Sequence, residues 1–278
     1  MIYIFFLLFI LGTCLGSFIS CVAYRYKLGI SIIYPRSFCD NCSQTLQHWQ
    51  LIPIIGFILQ KGKCHFCKQK IPLSSTIIEL AIGVIFIFNA IIIANANLIF
   101  TLLLVVWLTL ISLEDYYTLS VDSITLEYGG LILLIFRFHT VITNLKTNFL
   151  IIILFTIILT SCNLLNKFGT ADTILIVFSF LLLGFYNTLV VILLSCILGI
   201  IPYLIKKDFS ASHPFIPYLS LSILIIFYAT SIFKIPIITT RKTGGLLHGY
   251  KPLRTASVSR RWLSLRSSQI AMISLPPL

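Results

Sequence analysis

Cys39-Asp40-Asn41-Cys42, then 21 residues, then Cys64-His65-Phe66-Cys67 form the stretch around which the chain is arranged. Each Cys-x-x-Cys pair bends as a knuckle. Two knuckles at this separation offer four thiolates to one tetrahedral Zn2+, so Cys39, Cys42, Cys64 and Cys67 are the expected metal ligands. Four thiolates leave no open coordination position, which predicts a structural metal that does no chemistry. His65 lies inside a complete pair and is at most a substitute ligand.

Outward from the cysteines the composition changes sharply. The loop holds Arg25, Lys27, Arg36, Lys61, Lys63, Lys68 and Lys70 against one acid, Asp40. That excess of basic residues predicts a cytoplasmic loop, where a reducing environment keeps thiols available for metal. On either side the chain is very apolar. Hydrophobic residues make up 58% and charged residues 10% of its 278 residues, and its mean hydropathy is +1.03. A soluble domain averages about 25% charged residues, so this is a polytopic membrane protein.

The net charge of +12 does not indicate a nucleic-acid partner. Seven of the 20 basic residues lie after residue 240 with no acid among them, which leaves +5 over residues 1–240. A lipid bilayer accounts for that balance.

The apolar segments predict about eight transmembrane helices. The first covers 1–24 and has no basic n-region, which marks it as a retained helix. Its second half carries Gly12, Cys14, Gly16, Ser17, Ser20 and Cys21, small residues that permit close helix packing. Cys14 and Cys21 are read as packing residues. After the 25–73 loop, helices are expected at about 74–94, 98–113, 124–142, 149–165, 173–184 and 188–205, with a last one up to about 233. Together they make a transmembrane core over 74–235. The polar run 143–148 is expected as an outside turn, with Arg137 and His139 snorkelling toward that interface. Lys206-Lys207-Asp208 marks the inside again. Residues 236–278 are basic and acid-free, without helical periodicity, and read as a non-native or frameshifted tail.

Acids are few in such a chain, and their positions carry information. Glu79 sits about five residues into the second helix. It is either a functional carboxylate or an interfacial charge favouring a helix N-terminus. Glu114, Asp115 and Asp122 fall within nine residues, on what reads as a short loop at the membrane edge. Asp172 opens a later helix on the same side. Two carboxylates meeting at one membrane face would share a proton, hold one acid and one base, and activate a water for amide hydrolysis. For either Asp alone, an N-cap or interfacial charge is the plainer reading.

Several motifs, in order over about residues 10–225, resemble the prepilin peptidases, the type IV leader peptidases that include competence-type enzymes processing pseudopilins. They are Gly16-Ser17-Phe18-Ile19-Ser20-Cys21-Val22-Ala23-Tyr24-Arg25, the two cysteine pairs, Gln50-Leu51-Ile52-Pro53 leading to Lys61-Gly62-Lys63-Cys64, and Ile78-Glu79-Leu80. Gly169-Thr170-Ala171-Asp172 resembles the family's GxGD signature, with Ala171 in place of the second glycine. His213-Pro214-Phe215-Ile216-Pro217 resembles its Pro-Phe-x-Pro element. Val121-Asp122 lacks the proline that the family usually has there.

The resemblance implies an all-α membrane aspartyl peptidase that removes the leader of type IV prepilin or pseudopilin substrates after a glycine, at the cytoplasmic face of the plasma membrane. Asp115 and Asp172 are the implied catalytic pair, with Asp122 the fallback and Glu114 a weaker candidate. Relatives with the zinc loop also N-methylate the new terminus from S-adenosylmethionine. A site for that cofactor is expected near Gly16 to Arg25 and Glu79. The rival readings are a zinc-stabilised membrane scaffold or transporter, and a GxGD intramembrane protease of broader specificity.

Overall fold

The structure, a computed structural model, describes residues 2–92, 95–165, 169–206 and 213–233. The expected tail, together with Lys207, Asp208 and Asn166 to Phe168, lies outside the described residues. The helices are α1 (Ile2–Leu28), α2 (Ile55–Leu59), α3 (Leu73–Ile92), α4 (Asn95–Thr118), α5 (Ser123–Phe136), α6 (Phe138–Leu164), α7 (Thr170–Leu183), α8 (Phe185–Lys206) and α9 (Ile216–Phe233), with a 3-10 turn at His48–Leu51. The eight expected long segments are all helical. Five of them are long and apolar enough to cross a bilayer, whereas Ser123–Phe136, Thr170–Leu183 and Ile216–Ile232 are apolar but shorter.

Without a hydrophobic drive between helices inside lipid, close backbone approach decides who packs on whom. On α1, Gly12 lies against the Gly83 Cα of α3 and Gly16 against the Glu79 Cα. An added Cβ would meet those atoms at 2.9 and 3.0 Å. The pairs 12/83 and 16/79 run in opposite directions, so the two helices are antiparallel. The expected small-residue interface is therefore Gly12 and Gly16, not the cysteines. Cys14 is exposed. Leu8, Ile19, Ile82, Phe86 and Val105 fill the seam where α4 joins this pair.

A second core gathers α4, α5, α7, α8 and α9 around Leu104, Leu108, Ile111, Leu175, Val191, Leu219 and Ile223, each fully buried. Trp107 crosses it, its indole N–H donating to the Thr125 carbonyl at 2.9 Å. Gly129 and Gly130 leave room for the ring. Buried Asn144 fastens α6 to α7 by donating to the Leu181 carbonyl.

Two boundaries differ from expectation. The helix expected to stop at Leu113 continues to Thr118, so Glu114 and Asp115 are helical and not on a loop. Thr118 folds its hydroxyl back onto the Glu114 carbonyl, and the helix ends only where Leu119 takes φ 54°. The expected outside turn at 143–148 is also helical, with Asn148 alone at non-helical angles. Thr143, Thr147 and Asn148 each bond a carbonyl four residues back, which satisfies polar side chains without leaving the helix. Arg137 marks the break between α5 and α6 and lies over the Phe100 ring. His139 is exposed.

Candidate functional site

The two knuckles have the same construction. The Cys39 N–H donates to the Gln44 carbonyl and the Cys64 N–H to the Gln69 carbonyl, while the Ser43 and Lys68 N–H groups return to Cys39 and Cys64. Ser43 and Lys68, each directly after the second cysteine of its pair, take φ 57° and 60°. The result turns four sulfurs inward, all within 4.8 Å of one another, with Cys39 Sγ and Cys67 Sγ at 3.9 Å. A tetrahedron of Zn–S bonds about 2.3 Å long has sulfurs about 3.8 Å apart, so the four residues fit a zinc ion. The Asn41 side chain, and then the Gln69 backbone, pull the Cys67 thiol down to about 6. His65 takes no part: its ring packs edge-on against Trp49 and Phe66.

The acids sort themselves by what they bond. Asp122 caps α5, accepting from the Thr125 N–H and hydroxyl through Oδ2. Buried Glu114 accepts the Asp122 N–H at 3.2 Å and ties that loop to α4. Asp115, 7% exposed, points the other way and accepts the Ile216 N–H at 3.0 Å through Oδ2. Ile216 lies in the Pro214-Phe215-Ile216-Pro217 element, at the start of α9. Asp172 sits in the first turn of α7. Its Oδ1 is buried without a hydrogen-bond partner among the described residues, and its carboxylate is within reach of the Asp115 charge. Asp172 thus lies within the field of the Asp115 charge, and Asp122 has a capping role. Gly169 leaves room for the Asp172 carboxylate, because a Cβ there would stand 2.8 Å from Asp172 Oδ2. Ala171 is partly buried against the second core.

Beside the knuckles lies a cavity of about 520 Å3, lined by Ser17, Ser20, Cys21 and Tyr24 of α1, Asp40 and Gln50 of the loop, Glu79 of α3 and Tyr117 of α4. Glu79 is 7% exposed and accepts the Ile54 N–H at 2.8 Å. Ile54 has φ 61° and ψ −52°, and the N–H of Ile55 closes onto the Pro53 carbonyl. This is the rare, strained form of γ-turn on a β-branched residue. The turn is the feature that sequence reasoning missed; Pro53 was its only local sign. Tyr24 meets Tyr117 edge-on, which joins α1 to the end of α4 beside the cavity.

Comparison with known proteins agrees with this layout. Residues 10–93 match the bacterial peptidase A24 N-terminal domain. The prepilin leader peptidase/N-methyltransferase of Bacillus subtilis is 44% identical over 80 residues, 29% of this chain and 32% of that protein. The Klebsiella pneumoniae protein of the same name is 32% identical over 135 residues, 45% of this chain and 59% of its own, and the Myxococcus xanthus one 35% identical over 79 residues, 28% and 24%. The chain thus spans between about a quarter and three-fifths of the length of these relatives. No solved structure matches it. Residues 10–93, which hold the four-cysteine loop, Glu79 and most of the cavity, are thus similar to the N-terminal domain of bacterial A24 peptidases and to the prepilin leader peptidase/N-methyltransferases.

Proposed function

We propose that the protein is a membrane aspartyl endopeptidase that removes the leader of type IV prepilin or pseudopilin substrates at the cytoplasmic face, with Asp115 and Asp172 as its catalytic pair. The observation that carries this reading is that two buried carboxylates, from α4 and α7, lie within each other's electrostatic reach, one oriented by the Ile216 N–H, the other with Oδ1 unpartnered among the described residues. In such a pair one carboxylate takes a proton from the attacking water while the other gives its proton to the leaving amide nitrogen as the tetrahedral intermediate collapses. No metal is needed for this step; a zinc ion on Cys39, Cys42, Cys64 and Cys67 would hold the loop together. Co-expression with a prepilin-like substrate tests the reading by gel shift. Asp115→Asn and Asp172→Asn should each abolish cleavage, and the double variant should be no worse than either, since residues acting as a unit are not additive. Full cleavage by Asp172→Asn would refute it.

The cavity supports a second activity, N-methylation of the new terminus. S-adenosylmethionine, when bound, supplies an electrophilic methyl group on a sulfonium cation. The cavity fits it in size, and two carboxylates, Asp40 and Glu79, line it beside one cation, Lys70, with the hydroxyls of Ser17 and Ser20 to take hydrogen bonds. Glu79→Gln should then suppress transfer of a radiolabelled methyl group while leader cleavage persists. Methylation at the parent rate in that variant would remove Glu79 from the site.

A further inference from the structure

The zinc loop is built inside out along one segment. In α2 the polar and small positions face inward. Gly56 is buried so closely on the Gln50 carbonyl that no Cβ would fit. Gln60 bonds the Gly56 carbonyl and takes a hydrogen bond from the Gln50 side chain. The outward positions are Ile55, Ile58 and Leu59, exposed by 52, 63 and 61%. They stand at i, i+3 and i+4 and so share one face.

A second apolar projection follows α1. Ile32, Ile33 and Tyr34 are exposed by 54, 90 and 78%. The backbone beneath them is satisfied from within, because the buried Arg25 guanidinium donates to the carbonyls of Ser31, Ile32 and Pro35 at 2.8, 3.0 and 2.7 Å. A loop whose carbonyls are bonded internally suits surroundings poor in water.

Two facts identify what covers these residues. The loop leaves one membrane-spanning helix at Leu28 and joins the next at Leu73. Tyr26, Leu28, Leu73 and Ile77 at those junctions are themselves exposed apolar side chains, so the apolar surface runs on from the spans. Exposed basic residues, Lys27, Arg36, Lys61 and Lys63, flank both projections, the arrangement of an amphipathic element lying on an anionic lipid surface.

We propose that Ile55, Ile58 and Leu59, together with the Ile32–Tyr34 tip, seat in the headgroup region of the bilayer, so that the zinc-binding loop lies on the membrane instead of standing free above it. This rests on the spans and the exposed side chains, and it holds whatever reaction the protein performs.

The test uses the full chain in nanodiscs of phosphatidylcholine and phosphatidylglycerol. Ile58→Trp adds a reporter to the parent's Trp49, Trp107 and Trp262, whose emission is subtracted. The added emission should be blue-shifted, resistant to aqueous iodide and quenched by brominated lipids. Bromines near the carbonyl end of the acyl chain should quench more than those near the terminal methyl, because such a face sits roughly 5–10 Å into the headgroup boundary. Leu59→Trp gives the same reading should Ile58→Trp fail to insert. Red-shifted emission quenched by iodide would overturn the proposal. So would blue-shifted emission that neither quencher reaches, since protein, in the form of a second copy or a substrate helix, would then be covering the face.

Discussion

The Ile216 N–H donates to Asp115 Oδ2 across 101 residues of sequence, which makes the start of α9 the support on which the α4 carboxylate rests. Pro214 and Pro217 have no N–H to offer, so within this element only Phe215 and Ile216 can donate from the backbone. Asp115→Asn keeps an acceptor oxygen and should be inactive but as stable as the parent. Asp115→Ala leaves a buried N–H unpaired and should be inactive and less stable by about 1–3 kcal/mol. Thermal unfolding in detergent alongside the cleavage assay separates the two effects.

Gly169 shapes the other carboxylate. A methyl group 2.8 Å from Asp172 Oδ2 forces that side chain to turn, and displacements of this size cost up to about a hundredfold in rate. Gly169→Ala should therefore insert normally and cleave roughly ten- to a hundredfold more slowly. Substituting glycine at Ala171, where no close approach is needed, should change the rate little.

Metal analysis of the purified chain should give about one zinc per chain, lost in Cys39→Ser or Cys64→Ser. Once a chelator has removed the metal, Cys67 should be the first thiol alkylated, because its thiol is pulled down to about 6. A lowered value means thiolate above that pH and thiol below it, so Cys67 alkylation should fade as pH falls through about 6 while remaining strong at neutral pH. Mass spectrometry of the alkylated peptides reads the order.

The glycines of α1 and α3 predict a packing effect with no chemistry in it. Gly12→Val drives a side chain into the α3 backbone, Gly83→Leu into the Phe9 and Thr13 side chains, and each should destabilise the helix pair by about 1–3 kcal/mol. A lower unfolding temperature with zinc content preserved would locate the damage in the helices and not in the loop.

Some of this was legible in the sequence because its cause is local. The cysteine spacing specifies a metal site by itself, and the Gly12 and Gly16 spacing specifies a helix face. Asp115 and Asp172 could be nominated by their rarity in an apolar chain. That α9 would hold Asp115 could not be read, since nothing near residue 115 refers to residue 216. The run 143–148 misled in part for a physical reason: threonine and asparagine signal an exit from the membrane by composition, yet Thr143 and Thr147 return their hydrogen bonds to the turn below and continue the helix, which kinks only at Asn148. Asp122 was ambiguous for a similar reason, and only its bonds to Thr125 identify it as a cap.

The lengths of α5 and α7 bear on the lipid as well as on the protein. Each has 14 residues and so rises about 21 Å, against a hydrocarbon slab about 30 Å thick. Where lipid meets such short helices, it accommodates them by local thinning or by shifts of the flanking side chains. Asp172, in the first turn of the shorter α7, therefore sits where the lipid around the protein is under most demand to adjust its thickness.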